Sequence, residues 1–394
     1  MKIKWLEQSK IKPGERVFVR TDLNVPLSAG RITDDYKINA ALPTLRWLLQ
    51  ARARLIIATH LGRPEKPDQK FSTAPLAKKL AEQLKIPVSH CRQAIGLSAA
   101  TAVARLPAGE ALLLENLRFY PEEQANDLSF ARALAELADH YVNDGFAVSH
   151  RRHASVCAVK LYLRAYGGFL LKQEIDNLGR ILKPVRPLVA ILGGAKIETK
   201  IPLLKKMSVL ADHILLGGRL ANIFLAARGY GLRAWRSDQK EINLARRIYT
   251  ERMLLPMDLV VSAAATGQGP ALVKKAGDLD KGDYAFDLGP KTVDFFSHYI
   301  AKARTLFWNG PMGWYEKPAF SAGTVKIARL IAARARGRAF GVGGGGETVE
   351  VLRRARVSRS FDWVSTGGGA SLSYLSGASM PGLDGLDGKK SLWL

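Results

Sequence analysis

Cysteine is almost absent from this chain of 394 residues: only Cys91 and Cys157 occur, and neither sits in a metal-ligand spacing. That excludes a disulfide framework and a cysteine-based zinc site. Long apolar runs are missing too, since none approaches the ~20 residues of a membrane-spanning helix. Met1 to Gly14 carry Lys and Pro but no apolar leader core, so no secretory signal is expected. Without disulfides or export signals, the expected location is the cytoplasm. The sequence also lacks a zinc-finger spacing, an aromatic RNA-binding strand and a basic tail. No Gly-x4-Gly-Lys-Ser/Thr run occurs, which excludes a Walker-type phosphate loop.

Acid is in short supply. Asp and Glu number 35 against 59 Lys and Arg, leaving a net charge of +24 and an isoelectric point near 10.1. Such an excess permits polyanion binding. It is spread along the chain, however, and its clusters at Arg52–Arg54, Arg151–Arg152 and Arg353–Arg356 are short, as solvated faces are. Neither nucleic acid nor membrane is expected as a partner.

A hydrophobic content of 47% and a charged content of 24% are those of a globular protein. The length suggests two domains or three. Short β-rich runs alternate with longer helical ones. The first half offers strands at Arg16–Arg20, Leu55–Ala58, Pro87–Ser89, Ala111–Leu114, Tyr141–Asn143 and Val156–Val159. Between them, Leu76, Leu80 and Leu84 share a helical face, as do Phe130, Leu134, Leu137 and Tyr141. The second half repeats the pattern at Leu188–Leu192, Ile214–Leu216, Leu259–Ser262, Thr305–Phe307, Ala339–Val342 and Asp362–Val364. Strands alternating with helices predict parallel sheets covered on both faces: two doubly wound α/β domains. The run from Gly167 to Pro187, a helical segment closed by two prolines, reads as a linking helix and hinge. The expected division is residues 1–172, a linker at 173–186, a second domain at 187–379, and a C-terminal segment at 380–394 returning to the first.

Ligands of open α/β sheets sit at the carboxyl ends of the strands. In the first half those ends read Asp22-Leu-Asn24, His60-Leu-Gly-Arg63, Glu115-Asn-Leu-Arg118, and Asp144-Gly-Phe followed by His150-Arg151-Arg152-His153. Arginine's planar fork suits carboxylate and phosphate, so this edge predicts a small, multiply anionic ligand. In the second half the ends are rich in glycine: Gly193-Gly-Ala-Lys196, Gly217-Gly-Arg219, Asn309-Gly-Pro-Met-Gly313, Gly343-Gly-Gly-Gly-Glu347-Thr348 and Thr366-Gly-Gly-Gly369. Backbone N–H groups exposed before a helix form an anion nest, which predicts a nucleotide site. Gly341-x-Gly343-x-x-Gly346 matches the dinucleotide fingerprint, with Asp362 lying 16 residues beyond. Glu347, however, would repel a pyrophosphate at that helix start and suits a Mg²⁺ ion better. A nicotinamide cofactor is therefore not expected. One anion-binding and one nucleotide-binding domain joined by a hinge suit a kinase, because phosphoryl transfer needs mainly positioning and charge neutralisation.

The chain resembles phosphoglycerate kinase along essentially its whole length. The motifs are Val19-Arg-Thr-Asp-Leu-Asn-Val-Pro26, Thr59-His-Leu-Gly-Arg-Pro64, Glu115-Asn-Leu-Arg-Phe119, Gly193-Gly-Ala-Lys196, Trp308-Asn-Gly-Pro-Met-Gly313 and Ser365-Thr-Gly-Gly-Gly-Ala-Ser371. The resemblance implies two Rossmann-like domains that interconvert 1,3-bisphosphoglycerate plus ADP with 3-phosphoglycerate plus MgATP, and a monomer. It implies that Asp22 and Asn24 hold the glycerate. His60, Arg63, Arg118 and Arg151 would bind its distal phosphate and neighbouring groups. Lys196 and Lys200 would meet the nucleotide phosphates and the group in flight. Glu316 would touch the ribose, and Gly345, Gly346, Glu347 and Thr348 would cap the phosphates and the metal.

Four positions depart from the family pattern. Lys37 stands where an arginine reaches the transferring phosphoryl. Lysine keeps the charge but loses the fork, so a deficit of ~10–10³ in rate is expected, smaller than that of losing an arginine finger outright. Glu347 replaces the metal-ligating Asp with a longer side chain. Arg219 replaces a glycine beside the expected adenine site, where it either stacks on the base or blocks it. The loop Gly145-Phe-Ala-Val-Ser-His150 replaces Ala-Phe-Gly-Thr-Ala-His ahead of Arg151. These departures leave a second reading open: a relative that binds anions or a partner without efficient turnover.

Overall fold

The computed structural model describes residues 3–195, 197–230 and 238–388. The chain divides into two compact units. One comprises Met1–Asp176 with Ser379–Leu394, the other Asn177–Ala378. Each is built on a six-stranded parallel sheet, so the architecture is α/β with two doubly wound, Rossmann-like units.

The first sheet runs in the order Val88–Cys91, Ala111–Leu114, Arg54–Ala58, Arg16–Arg20, His140–Asn143, Arg164–Gly167. The chain enters at the centre and winds first one way and then the other. This creates a switch point beside Arg16–Arg20, where strand ends open onto a shared crevice. Central strands are continuous apolar runs because helices cover both faces; Ala111–Leu114 is buried at every position. The core beneath is aliphatic, with Val17, Val19, Leu55, Ile57 and Leu113 facing Ile38, Leu45, Leu76 and Leu80.

The second sheet runs Met253–Leu254, His213–Leu216, Leu188–Leu192, Thr305–Asn309, Phe340–Gly344, Trp363–Ser365. Its switch point lies between Leu188–Leu192 and Thr305–Asn309, which pair in parallel register. A small antiparallel sheet, Leu272–Lys275, Asp258–Ser262 and Tyr284–Leu288, flanks it.

Three expectations are corrected. Val156–Val159 is no strand. Its N–H groups bond locally, Cys157 to His153 O at 2.7 Å and Val159 to Ala154 O at 2.9 Å, and a short 3₁₀ helix follows at Ala158–Leu161. These apolar residues are buried under a turn, and burial is what made them look like a strand. The sixth strand is Arg164–Gly167. The helix through Phe130 and Leu134 stops at Ala135, so Leu137 lies beyond it and Tyr141 is in a strand. Leu259–Ser262 belongs to the antiparallel sheet, not to a parallel one.

One helix, Phe169–Leu182, occupies the expected linker region, and the division between the units falls inside it. The buried Asp144 carboxylate caps its start by accepting from the Leu170 N–H at 2.9 Å. The C-terminal segment lies in the first unit. Asn143 Nδ2 donates to Gly382 O at 2.9 Å, and the buried Lys160 ammonium donates to Pro381 O at 2.7 Å and Asp384 O at 2.5 Å.

Candidate active site

The strand ends of the first unit are tied together before any ligand is considered. Leu23 N donates to Thr59 Oγ1 at 2.9 Å, joining the loop of Asp22 to that of His60. Asn116 joins the next pair, accepting from Leu61 N at 3.1 Å and Arg118 N at 3.0 Å, and donating to Leu61 O at 2.8 Å. Gly62 lies where these loops meet. Its N–H donates to Asn24 Oδ1 at 2.8 Å and its carbonyl accepts from Arg118 Nη1 at 2.5 Å. Its φ is +63°, and a Cβ there would stand 2.3 Å from the Phe71 ring, so only glycine fits.

Cations crowd this edge. Lys37 Nζ is 2.6 Å from Asp22 Oδ2. Arg118 lies within electrostatic reach of Arg151, Arg20 and Arg63. Burial opposes the charge of Asp22, yet Lys37, His60 and the Asn24 N–H outweigh it and hold the carboxyl at about 2. Burial, reinforced by Arg20, Arg118 and Lys37 and opposed by Asp22, pushes His60 well below the usual histidine range. The resting state is therefore an anionic Asp22 and a neutral His60. Burial and then the neighbouring arginines bring Arg118 down to about 10, so it stays charged at neutral pH. Burial and Arg63 lower Arg151 in the same direction. Arg63 is exposed and Asn24 half-buried. Such a cluster repels itself and favours a multiply charged anion.

Three members of this cluster were not among the predicted site residues. Arg20 is almost fully buried. It donates to Ser155 Oγ at 2.9 Å and Thr21 O at 2.6 Å, with Nη2 3.4 Å from His60 Nδ1. It is the last residue of the strand Arg16–Arg20, just before the strand-end groups read from the sequence at Asp22. His150 and His153 are both brought down to about 4, by burial first and then by arginines, Arg151 for His150 and Arg20 for His153. The run His150-Arg-Arg-His153 was their signal.

In the second unit Lys200 is buried, and its ammonium donates to Asn309 O at 3.0 Å and Asn309 Oδ1 at 2.6 Å. No carboxylate lies within ion-pair distance of it among the described residues. Burial lowers it to about 8, with Glu347 pulling the other way. Gly310, at φ +90°, makes room: a Cβ there would meet Gly193 O at 2.4 Å and Lys200 Nζ at 2.6 Å. Lys196 lies outside the described residues. Gly345 has φ +99° and opens the helix Gly346–Arg354, whose first turn carries the exposed Glu347. Thr348 is fully buried, and its Oγ1 accepts from Gly310 N at 2.7 Å, which fastens this turn to the loop that follows Thr305–Asn309.

A cleft of about 270 Å³ runs beside these groups, with Gly194, Arg219, Trp314, Glu316 and Glu347 in its walls. Arg219 is held by Glu241 through two bonds of 3.2 and 2.7 Å and donates to Ala195 O at 2.7 Å. Asp362, at the place of a ribose-binding acid in the dinucleotide fingerprint, instead accepts from Gly341 N at 2.7 Å. Its carboxylate is thus committed to the fold. Among the described residues no group of three or more His, Cys, Asp or Glu could cage a metal. No helix among them is long and apolar enough to cross a membrane.

The phosphoglycerate kinase family model matches residues 7–378. The phosphoglycerate kinase of Desulforudis audaxviator is 44% identical over 378 residues, covering 94% of this chain and 95% of that one. That of Moorella thermoacetica is 43% identical over 383 residues, covering 95% and 97%. Among solved structures, phosphoglycerate kinase from Coxiella burnetii aligns with a TM-score of 0.85 at 34% identity, over 98% of this chain and 99% of its own. The enzyme from Pyrococcus horikoshii aligns at 0.86 and 30% identity, with the same coverage.

Proposed function

The chain belongs to the phosphoglycerate kinase family, and from that premise we infer how its residues divide the reaction. Its activity is reversible phosphoryl transfer between 1,3-bisphosphoglycerate with ADP and 3-phosphoglycerate with ATP. In the direction of ATP use, a carboxylate oxygen of 3-phosphoglycerate attacks the γ-phosphorus. The new O–P bond forms as the bond to the β-phosphate oxygen breaks, and that oxygen leaves on ADP. No enzyme group becomes phosphorylated.

Asp22 and Asn24 orient the glycerate. His60, Arg63, Arg118 and Arg151 receive its distal phosphate and neighbouring groups. Lys37, already 2.6 Å from Asp22, places a positive charge beside the reacting carboxylate. Lys200, and Lys196 by resemblance, neutralise the phosphates and the moving phosphoryl group. Glu316 meets the ribose, while Gly345 and Gly346 offer backbone N–H groups to the phosphates at the helix start; Thr348 joins them by resemblance, its buried hydroxyl holding the turn to Gly310. A Mg²⁺ carried by the nucleotide needs only one or two carboxylates beside phosphate and water oxygens. Glu347 fits that need, being an exposed carboxylate within electrostatic reach of Lys200. The ion supplies charge neutralisation on the phosphate oxygens. A cytoplasmic monomer completes the proposal, supported by two unpaired cysteines and by the family.

The observation that carries this assignment is the gathering of Lys37, His60, Arg63, Arg118 and Arg151 at one sheet edge around the carboxylate of Asp22. A coupled assay of MgATP-dependent phosphorylation of 3-phosphoglycerate tests it. Turnover above ~1 s⁻¹, the low end for kinases, is expected. Binding of both substrates without turnover would instead support the non-transferring relative.

A further inference from the structure

Glu123 is a buried carboxylate that the proposed reaction does not use. It sits in the short helix Pro121–Ala125 and is 1% exposed. Both of its oxygens are taken by one residue: Ser155 N donates to Oε2 at 2.8 Å and Ser155 Oγ donates to Oε1 at 2.6 Å. The single proton of that hydroxyl is thus spent on Glu123. Its oxygen is left as an acceptor, and Arg20 Nε donates to it at 2.9 Å. Arg20 Nη1 is fixed in turn by Thr21 O at 2.6 Å. The guanidinium is planar, so these two bonds set where its remaining nitrogen stands. That nitrogen, Nη2, lies 3.4 Å from Nδ1 of His60.

Two groups compete for this ring nitrogen. Arg20 can only donate, and its approach requires Nδ1 to be an acceptor. Asp22 Oδ1, 3.9 Å from the same nitrogen, can only accept and calls for a proton there. A separation of 3.9 Å is beyond hydrogen-bond range, and the other Asp22 oxygen is committed to Lys37 Nζ at 2.6 Å. Arg20 therefore prevails, and the proton of the neutral ring goes to Nε2. Nε2 has no partner among the described residues, yet it is not sealed from solvent.

We infer that Glu123 is a positioning residue for His60: through Ser155 and Arg20 it keeps the ring as the Nε2–H tautomer, so that its accessible nitrogen is a donor. The use of that donor by an anion rests on the reading of this edge as the 3-phosphoglycerate site. A ring protonated at Nδ1 shows the anion a lone pair instead, and repels it. Glu123 itself touches no substrate; it decides which of two rivals holds the far side of a residue that does.

Nitrogen-15 NMR of the histidine rings in the full chain at neutral pH tests this, because protonated and unprotonated ring nitrogens resonate far apart. The His60 signals are those lost in His60→Asn. In wild type, His60 is expected to carry its proton on Nε2, and Nε2 is expected to shift when 3-phosphoglycerate is added. Ser155→Ala removes the relay, and Glu123→Gln leaves one acceptor for two donors. In both, the proton is expected to move to Nδ1, towards Asp22. 3-Phosphoglycerate is then expected to bind about 10-fold more weakly, the loss of one charge-assisted bond, with MgADP binding unchanged as a control on folding. A wild-type His60 protonated at Nδ1 would overturn the inference, as would a tautomer unmoved in both folded variants. A wild type that binds no 3-phosphoglycerate would overturn the reading of the site, while the ring nitrogens still decide the tautomer. The wild-type spectrum settles the matter even where neither variant folds.

Discussion

In the proposed reaction, Lys37 is the residue on which rate is expected to turn. Its ammonium sits 2.6 Å from Asp22, so it holds its charge in the right neighbourhood but as a point rather than a fork. A planar guanidinium would engage Asp22 and a phosphoryl oxygen together. Lys37→Arg is expected to raise turnover about 10-fold or more, read in the coupled assay. An unchanged turnover would show that a point charge at this position suffices. Arg219, read from sequence as either a stacking partner or a block, is explained by Glu241, 22 residues further on. Nothing in the spacing alone announced that pair. It exists because the helix Gln239–Ile248 packs against Gly218–Ala227.

Helix starts follow a recurring device: a buried aspartate at a strand end caps the helix beside it. Asp144 does so for Phe169–Leu182 and Asp287 for Ala322–Ala335, accepting from Gly323 N at 2.7 Å. Burial raises Asp144 to about 7, against the bonds from Thr44, Leu171 and Leu170 that favour its charge. A carboxyl raised in the folded state above its unfolded value of about 3.9 adds stability that is fully present below that value. The contribution is lost as pH rises through about 7. His60, His150 and His153, all lowered, act in the opposite direction between their folded and unfolded values. The test is therefore a difference. Asp144→Asn keeps an acceptor but no longer titrates, so its melting temperature relative to wild type is expected to climb between pH 5 and pH 8. A difference independent of pH would mean that Asp144 is already charged throughout. The strands that were legible, such as Leu188–Leu192, are buried on both faces and continuously apolar. Arg164–Gly167 was missed because an arginine opens it and a glycine closes it. Val156–Val159 was misread because burial under a turn leaves the same apolar signature.

At the scale of the whole molecule, the proposal gives the carboxyl ends of the two parallel sheets two different kinds of anion. The basic edge was legible because Asp22, His60, Arg63, Arg118 and Arg151 all follow strands. The glycine-rich edge was legible because its turns precede helices. Arg20 was not, since it is the buried last residue of a strand and only its burial and contacts place it in the cluster. The excess charge of +24 has no structural account beyond the cluster in the first unit. The central claim is that each unit binds its own ligand through the named cations. Titration of the full chain with 3-phosphoglycerate and with MgADP tests it most directly, in wild type, Arg118→Ala and Lys200→Met. Arg118→Ala is expected to weaken 3-phosphoglycerate about 10- to 100-fold and leave MgADP within about 2-fold, the loss of one charge-assisted bond. Lys200→Met is expected to show the reverse pattern. Equal weakening of both ligands by either variant, or of neither, would contradict the assignment.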